Sequence, residues 1–228
     1  MIVLATDEDV ALRASADFAA LCPKDQVLAS GTDGAFAAGA PWTLTSASVN
    51  FAATGLAPGS MIRLVRPSSA FGANGDLFAI AGVGPAGLAL RRKGQAAGVG
   101  QPPAPPAGLT GVEFAVRTLG PQIGRASEDI DRRFGVDDHI VGRRAVDLLD
   151  PRQLREAVVL TVLSRQYLDQ ARSFSGPADA PDDWYSAKAR SAKAELDDLL
   201  DRLALHWNST GVAARTASTT RFSTRLSR

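Results

Sequence analysis

The sequence predicts an α+β protein in which helical segments flank a small antiparallel β-sandwich or barrel, with a flexible tail at the C-terminus. Three patterns point to it. Apolar residues recur at helical spacing over residues 6–21 and across 122–205. Period-two alternation, punctuated by Gly, Ser, Thr and Pro, fills residues 41–99. Beyond Trp207 the apolar pattern stops. A chain of 228 residues suits one large domain or two small ones, and either can bury a core.

Residues 6–21, TDEDVALRASADFAAL, read as a short amphipathic helix. Thr6 or Asp7 is the candidate N-cap, and acids fill the first turn, where they meet the positive end of the helix dipole. Val10, Ala14, Phe18 and Leu21 share one face, and Cys22-Pro23 ends the helix. The β-prone runs are PWTLTSASVNFA, GSMIRLVRP, DLFAIAGV and GLALRRKG, giving an expected four to six strands. In Met61–Arg66, Ile62 and Leu64 face opposite to Arg63 and Val65, the pattern of a half-buried strand. Ala57-Pro58-Gly59-Ser60 and Ala73-Asn74-Gly75-Asp76 are turn signals, the second with the Asn-Gly pair favoured in tight hairpins. Residues 98–111, GVGQPPAPPAGLTG, form a Pro/Gly linker.

The helical half starts with a helix from Arg125 to Phe134, with Ser127 as candidate N-cap, followed by a loop containing Asp137-Asp138-His139. Asp150-Pro151 opens the next helix with a capping carboxylate and proline at the first position. Leu154, Val158, Val162 with Leu163, and Tyr167 or Leu168 give it a broad apolar side, and Ser175-Gly176-Pro177 breaks it. After Asp182-Asp183, Tyr185, Ala189, Ala192, Leu196, Leu199 and Leu203 repeat at alternating spacings of four and three. That is a long helix with an a/d-like seam, so the two helices pair as an antiparallel hairpin.

Charge and motif chemistry exclude much. Lys plus Arg is 25 against 24 for Asp plus Glu, so no global field draws the chain to nucleic acid or membrane. Residues 212–228, however, hold Arg215, Arg221, Arg225 and Arg228 with no acid. Cys22 is the only cysteine, which excludes an intrachain disulfide and a thiol metal cluster and fits a reducing cytoplasm. MIVLATDEDV lacks the basic start of a signal peptide, and no apolar run approaches the ~20 residues of a membrane span. Gly82 to Gly87 matches the dinucleotide pattern GxGxxG, but Leu88–Arg92 reads as strand where that mechanism needs a helix N-terminus. A hairpin turn is the expectation there. Asp137, Asp138 and His139 lack a second ligand cluster, His206 suits a helix C-terminus, and Asp197-Asp198 sits on a solvated face. Asn208-Ser209-Thr210 is a glycosylation sequon only in a secreted protein. No nucleophile–base pair is legible, so a non-enzymatic protein with no catalytic residue, cofactor or metal is expected.

The order of helical segments resembles the head–tail adaptor (connector) proteins of long-tailed bacteriophages and gene transfer agents. The residues that carry it are TDEDVALRASADFAAL, then Leu148-Leu149-Asp150-Pro151 feeding RQLREAVVLTVLSRQYLDQA. After a short acidic loop comes DDWYSAKARSAKAELDDLLDRL, with Asp183-Trp184-Tyr185 and Lys188 at its head, and last the tail. It covers residues 6–21 and about 122–228. The resemblance implies a helical core domain of residues 1–24 and 112–207, an inserted β domain over 25–97, the linker 98–111 and a basic tail over 208–228. It implies a structural virion protein of the neck, assembled in the host cytoplasm. Copies of the chain would form a ring beneath the portal protein, pass genome DNA without reading its sequence, and meet a downstream head-closure or tail protein. No membrane is involved.

The tail docks to the portal in this reading, with Phe222 and Leu226 as apolar anchors and Arg215, Arg221, Arg225 and Arg228 pairing with acidic surface. A tail of about 17 residues reaches ~55 Å when extended. Arg63, Arg66, Arg91, Arg92 and Lys93 suggest a charged contact for the β domain. The alternatives are another neck component (head-closure or tail-terminator protein, mainly small β-barrels) and a nucleic-acid-binding protein acting through the basic tail. The near-zero net charge and the lack of an aromatic-interleaved basic patch count against the last.

Overall fold

The computed structural model describes residues 3–85, 87–95, 105–106, 108–137, 139–140, 144, 147–148, 150–173, 184–203, 205–207 and 218–220. The chain divides into two compact units, Thr6–Leu119 and Met1–Ala5 with Gly120–Arg228.

The first unit is a closed antiparallel barrel. Its strands are β1 (Val27–Phe36), β2 (Thr43–Thr45), β3 (Met61–Arg66), β4 (Asp76–Gly84), β5 (Gly87–Arg92) and β6 (Val112–Arg117). They close in the order β1-β2-β5-β4-β3-β6, with β6 pairing back to β1. Closure gives every barrel strand a neighbour on both sides, although β1 meets the short β2 only at Ala35 and Phe36. Phe36, Leu44, Ile62, Leu64, Phe78, Ile80, Leu88, Leu90, Val112, Phe114 and Val116 fill the interior. Gly31 makes room for this packing, since a Cβ there would stand 2.8 Å from the Phe114 ring. Register shifts flank it in the β1–β6 ladder, where the strand bends to close the barrel.

Two short helices, α1 (Asp7–Arg13) and α2 (Phe18–Leu21), belong to this unit. Thr6 caps α1 in a capping box with Asp9. The acids at the helix start do more than answer its dipole. Asp7 accepts the Leu119 backbone N–H at 2.7 Å. Glu8 forms a two-pronged ion pair with Arg91 on β5 and accepts the Gly94 N–H at 2.9 Å. The Glu8 N–H donates to the Gly59 carbonyl at 2.9 Å. Met61 on β3 and Ala79 on β4, which pair in register, are buried although they alternate with the interior residues Ile62 and Phe78. This stretch of the barrel therefore has two covered faces.

The expectation of a helical core that takes in residues 6–21 and carries a β insertion is overturned. The first helix breaks at Ala14, and its acids and apolar face are spent on the barrel unit, which extends from Thr6 to Leu119. β6 lies where a helical domain was expected to begin, and the 98–111 segment joins two strands of one barrel; of that segment only 105–106 and 108–111 are described. Asn74-Gly75 is not a two-residue hairpin either. A short helix α3 (Ser68–Phe71) precedes it, and Gly75, at φ 71°, has no room for a side chain, since a Cβ there would stand 2.5 Å from the Leu64 carbonyl oxygen.

The second unit contains α4 (Gly120–Phe134), α5 (Arg152–Ser173), α6 (Trp184–Arg202) and a two-stranded ladder of β7 (Leu205–Trp207) with β8 (Ser218–Thr220). Ser127 lies inside α4 rather than at its start, and its buried hydroxyl accepts the Leu4 N–H at 3.2 Å. Asp150 caps α5 by accepting the Arg152 N–H at 3.1 Å. From Ala157 to Leu163 every residue of α5 is buried, which a helix needs only when it is covered all round. Thr161 satisfies its buried hydroxyl on the Ala157 carbonyl at 2.7 Å. α6 buries a single stripe of Ala189, Ala192, Leu196 and Leu200. Arg165 reaches Asp129 at 2.8 Å, fastening α5 to α4.

Candidate functional site

Arg215, Arg221, Phe222, Arg225, Leu226 and Arg228, the docking residues expected from the sequence, lie outside the described residues. The last described residues before five of them are those of the β7–β8 ladder, in which Thr220 pairs with Leu205, three residues after α6 ends.

α5 and α6 run antiparallel. Tyr167 near the end of α5 meets Tyr185 near the start of α6, with ring centroids 6.2 Å apart. The Lys188 ammonium stands 3.5 Å from the Trp184 ring centroid and 5.5 Å from that of Tyr167. This cation held between aromatic faces orders the head of α6. At the other end of the hairpin a groove of about 400 Å³ is lined by Glu156, Leu160, Glu195, Asp198, Leu199 and Leu203 among others. Its three carboxylates face one lining cation, Arg202, which pairs with Asp198.

The barrel unit has its own polar cleft, of about 790 Å³, between the α1–α2 segment and β3, β4 and β5. Strand register sets part of it: Arg63 pairs with Leu77, their side chains on the outer face, and Phe78 pairs with Arg92, the last residue of β5, with Lys93 following in the turn. Arg92 falls in the interior-facing row and stands at the barrel's rim. Its guanidinium lies 4.4 Å from the Phe78 ring centroid and pairs with Asp76 at 2.8 Å. Arg63 is pinned by two N–H groups to the Asn74 carbonyl, and Lys93 donates to the Ser15 hydroxyl.

The other charged groups of the barrel unit serve its structure. Asp33 accepts the Ala47 and Ser48 N–H groups and both hydroxyls of Ser46 and Ser48, each at 2.8 Å, and so fastens the loop after β2 to β1. These donors hold its carboxyl down at about 2. Burial raises Asp7 to about 6 against the pull of the Leu119 N–H and the Thr118 hydroxyl. Burial, with the Asp7 charge beside it, pushes the Cys22 thiol up to about 12. An inert thiol follows.

Gly82 to Gly87 spans the β4–β5 hairpin, with Gly84 and Gly87 paired across it and no helix N-terminus behind them. Asp137 accepts the His139 N–H at 2.8 Å, a local turn; Asp138 is not among the described residues. Among the described residues no group of three or more His, Cys, Asp or Glu gathers as a metal site, and no helix is long and apolar enough to cross a membrane. No protein-family model, curated protein or solved structure matches the chain.

Proposed function

We propose that the chain is a head–tail adaptor: a structural virion protein that assembles as a ring beneath a portal and continues the DNA channel toward the tail. The observation that carries this reading is the second unit. It is an antiparallel α5–α6 hairpin, braced by α4, whose trailing chain pairs β8 with β7 close to the end of α6, just ahead of Arg221 in the sequence. A protein that recruits a partner with a terminal segment is served by this arrangement, because the β7–β8 pairing holds the residues that precede Arg221. Phe222 and Leu226, four apart, anchor it; Arg221, Arg225 and Arg228 pair with acidic portal surface. The barrel unit then supplies contacts to neighbouring copies or to the next neck protein.

A second reading, another neck component of the head-closure or tail-terminator kind, is favoured by one observation. Residues Thr6–Leu119, half of the chain, form a closed six-stranded barrel. Co-purification with the portal protein of the same genome separates the two, comparing the full chain with one ending at Asn208. The adaptor reading requires the full chain to bind and the shortened one not to. Equal binding by both removes the tail from the docking role and favours the barrel.

A further inference from the structure

The cleft of the barrel unit carries an inference that does not depend on the ring. It is lined by three cations, Arg63, Arg92 and Lys93, and by one carboxylate, Asp76. Two of the three cations are held by neutral partners. Arg63 is held by the Asn74 carbonyl and Lys93 by the Ser15 hydroxyl, so their charges are fixed in place and not cancelled. Only Arg92 has an acid. Arg92 also keeps its Nε shut away from solvent with no hydrogen-bond acceptor, a standing cost for a charged donor. Both guanidinium groups are pre-oriented, one by a carbonyl and one by the Phe78 face and Asp76, so a ligand would lose little side-chain entropy in engaging them.

We propose that this cleft binds a phosphate group, held by Arg63, Arg92 and Lys93. The excess of two positive charges over the single carboxylate suits a dianion. Cations carried by β3 and by the end of β5 line one cleft, and a tetrahedral oxyanion suits them because its oxygens accept from several directions. Small walls on the α1–α2 side (Ser15, Ala16, Ala19 and Ala20) leave room for it and for what it is attached to. The phosphate belongs either to a small molecule or to a nucleic-acid backbone, and the chemistry of the cleft is common to both.

Calorimetric titration of the full chain tests this, with inorganic phosphate in one arm and a short DNA duplex in the other, in a chloride buffer at fixed ionic strength. Lys93→Gln is the main variant, because it removes one charge at an exposed hydrogen bond; circular dichroism checks that the fold is kept. Its expected effect is a loss of phosphate affinity of about tenfold, the scale of one charge-assisted contact. Asp76→Asn, which removes the lone carboxylate, is expected to tighten binding several-fold. Opposite signs for the two variants separate a site from general damage. Binding of inorganic phosphate with this pattern identifies a small phosphorylated ligand. Binding of the duplex alone, with the same pattern, identifies the backbone. No binding in either arm, or binding that ignores both substitutions, overturns the proposal.

Discussion

Asp7 offers a prediction whose sign is set by burial. Its carboxyl is raised from 3.8 to about 6 in the fold, because burial penalises the charge more than the Leu119 N–H and the Thr118 hydroxyl favour it. The folded state then holds the proton more tightly than the unfolded chain. Between pH 4 and pH 6 the native carboxyl is protonated while the unfolded one is ionised, so stability falls as pH rises through that window. A shift of this size corresponds to about 3 kcal/mol lost by pH 7, with nothing lost below pH 3.8. Asp7→Asn removes the penalty and keeps an oxygen to accept the Leu119 N–H. It gives up the favourable placement of an acid in the first turn of α1, worth up to ~1 kcal/mol. The variant is therefore predicted to be more stable than the natural chain by ~1–2 kcal/mol at pH 7.5, with the difference vanishing or reversing at pH 4. Urea unfolding from pH 4 to pH 8 reads this directly, with Trp184 and Trp207 replaced by Phe in both proteins so that Trp42 fluorescence reports on the barrel unit. A variant destabilised equally at both ends of the range would refute the reasoning and make Asp7 an ionised anchor.

Three further predictions concern the same unit. Glu8 and Arg91 are 9% and 19% exposed, so replacing either one alone with alanine leaves a buried charge unpaired and is expected to cost about 3 kcal/mol. The double variant should cost far less than the sum, which a double-mutant cycle by chemical denaturation measures. Asp33→Ala frees the Ala47 and Ser48 amides, so their hydrogen exchange quickens at neutral pH. Because folding lowers the Asp33 carboxyl to about 2, its contribution is complete above pH 3.8 and fades as pH falls through 2, taking the difference between the two proteins with it. Cys22 is buried and its thiol raised, so a thiol reagent at pH 8 should leave the native chain unmodified and react only on unfolding. Rapid reaction of the folded protein would contradict the packing around α2.

What was legible in the sequence had strong local periodicity. β3 and β5 alternate, β4 is a near-continuous apolar run, and the seams of α5 and α6 follow helical spacing, so these elements stand where their patterns put them. β1 was not legible. Its sequence VLASGTDGAF is small and polar because Gly31 must clear Phe114 and the strand bends at two register shifts. β6, VEFAVR, is as long as β3 and alternates as strictly, and it was hidden by the proline-rich run before it, which reads as a linker leading out of the β region. The pattern of residues 6–21 marks helix but does not show which unit it joins. Asp7, Glu8 and Asp9 look like dipole-complementing acids, and only barrel closure shows Glu8 meeting Arg91, which lies 83 positions further along the chain. The cleft failed for the same reason. Its basic residues are visible in the strand sequences, but Ser15, Asp76 and the cross-strand rows that bring them together depend on long-range register.

The adaptor reading is tested most directly by electron microscopy of the portal assembled with the full chain. It predicts a ring of this protein beneath the portal, with density for residues 221–228 lying against portal surface. A portal left bare beside free chains, or a complex in which only the barrel unit touches another protein, would contradict it.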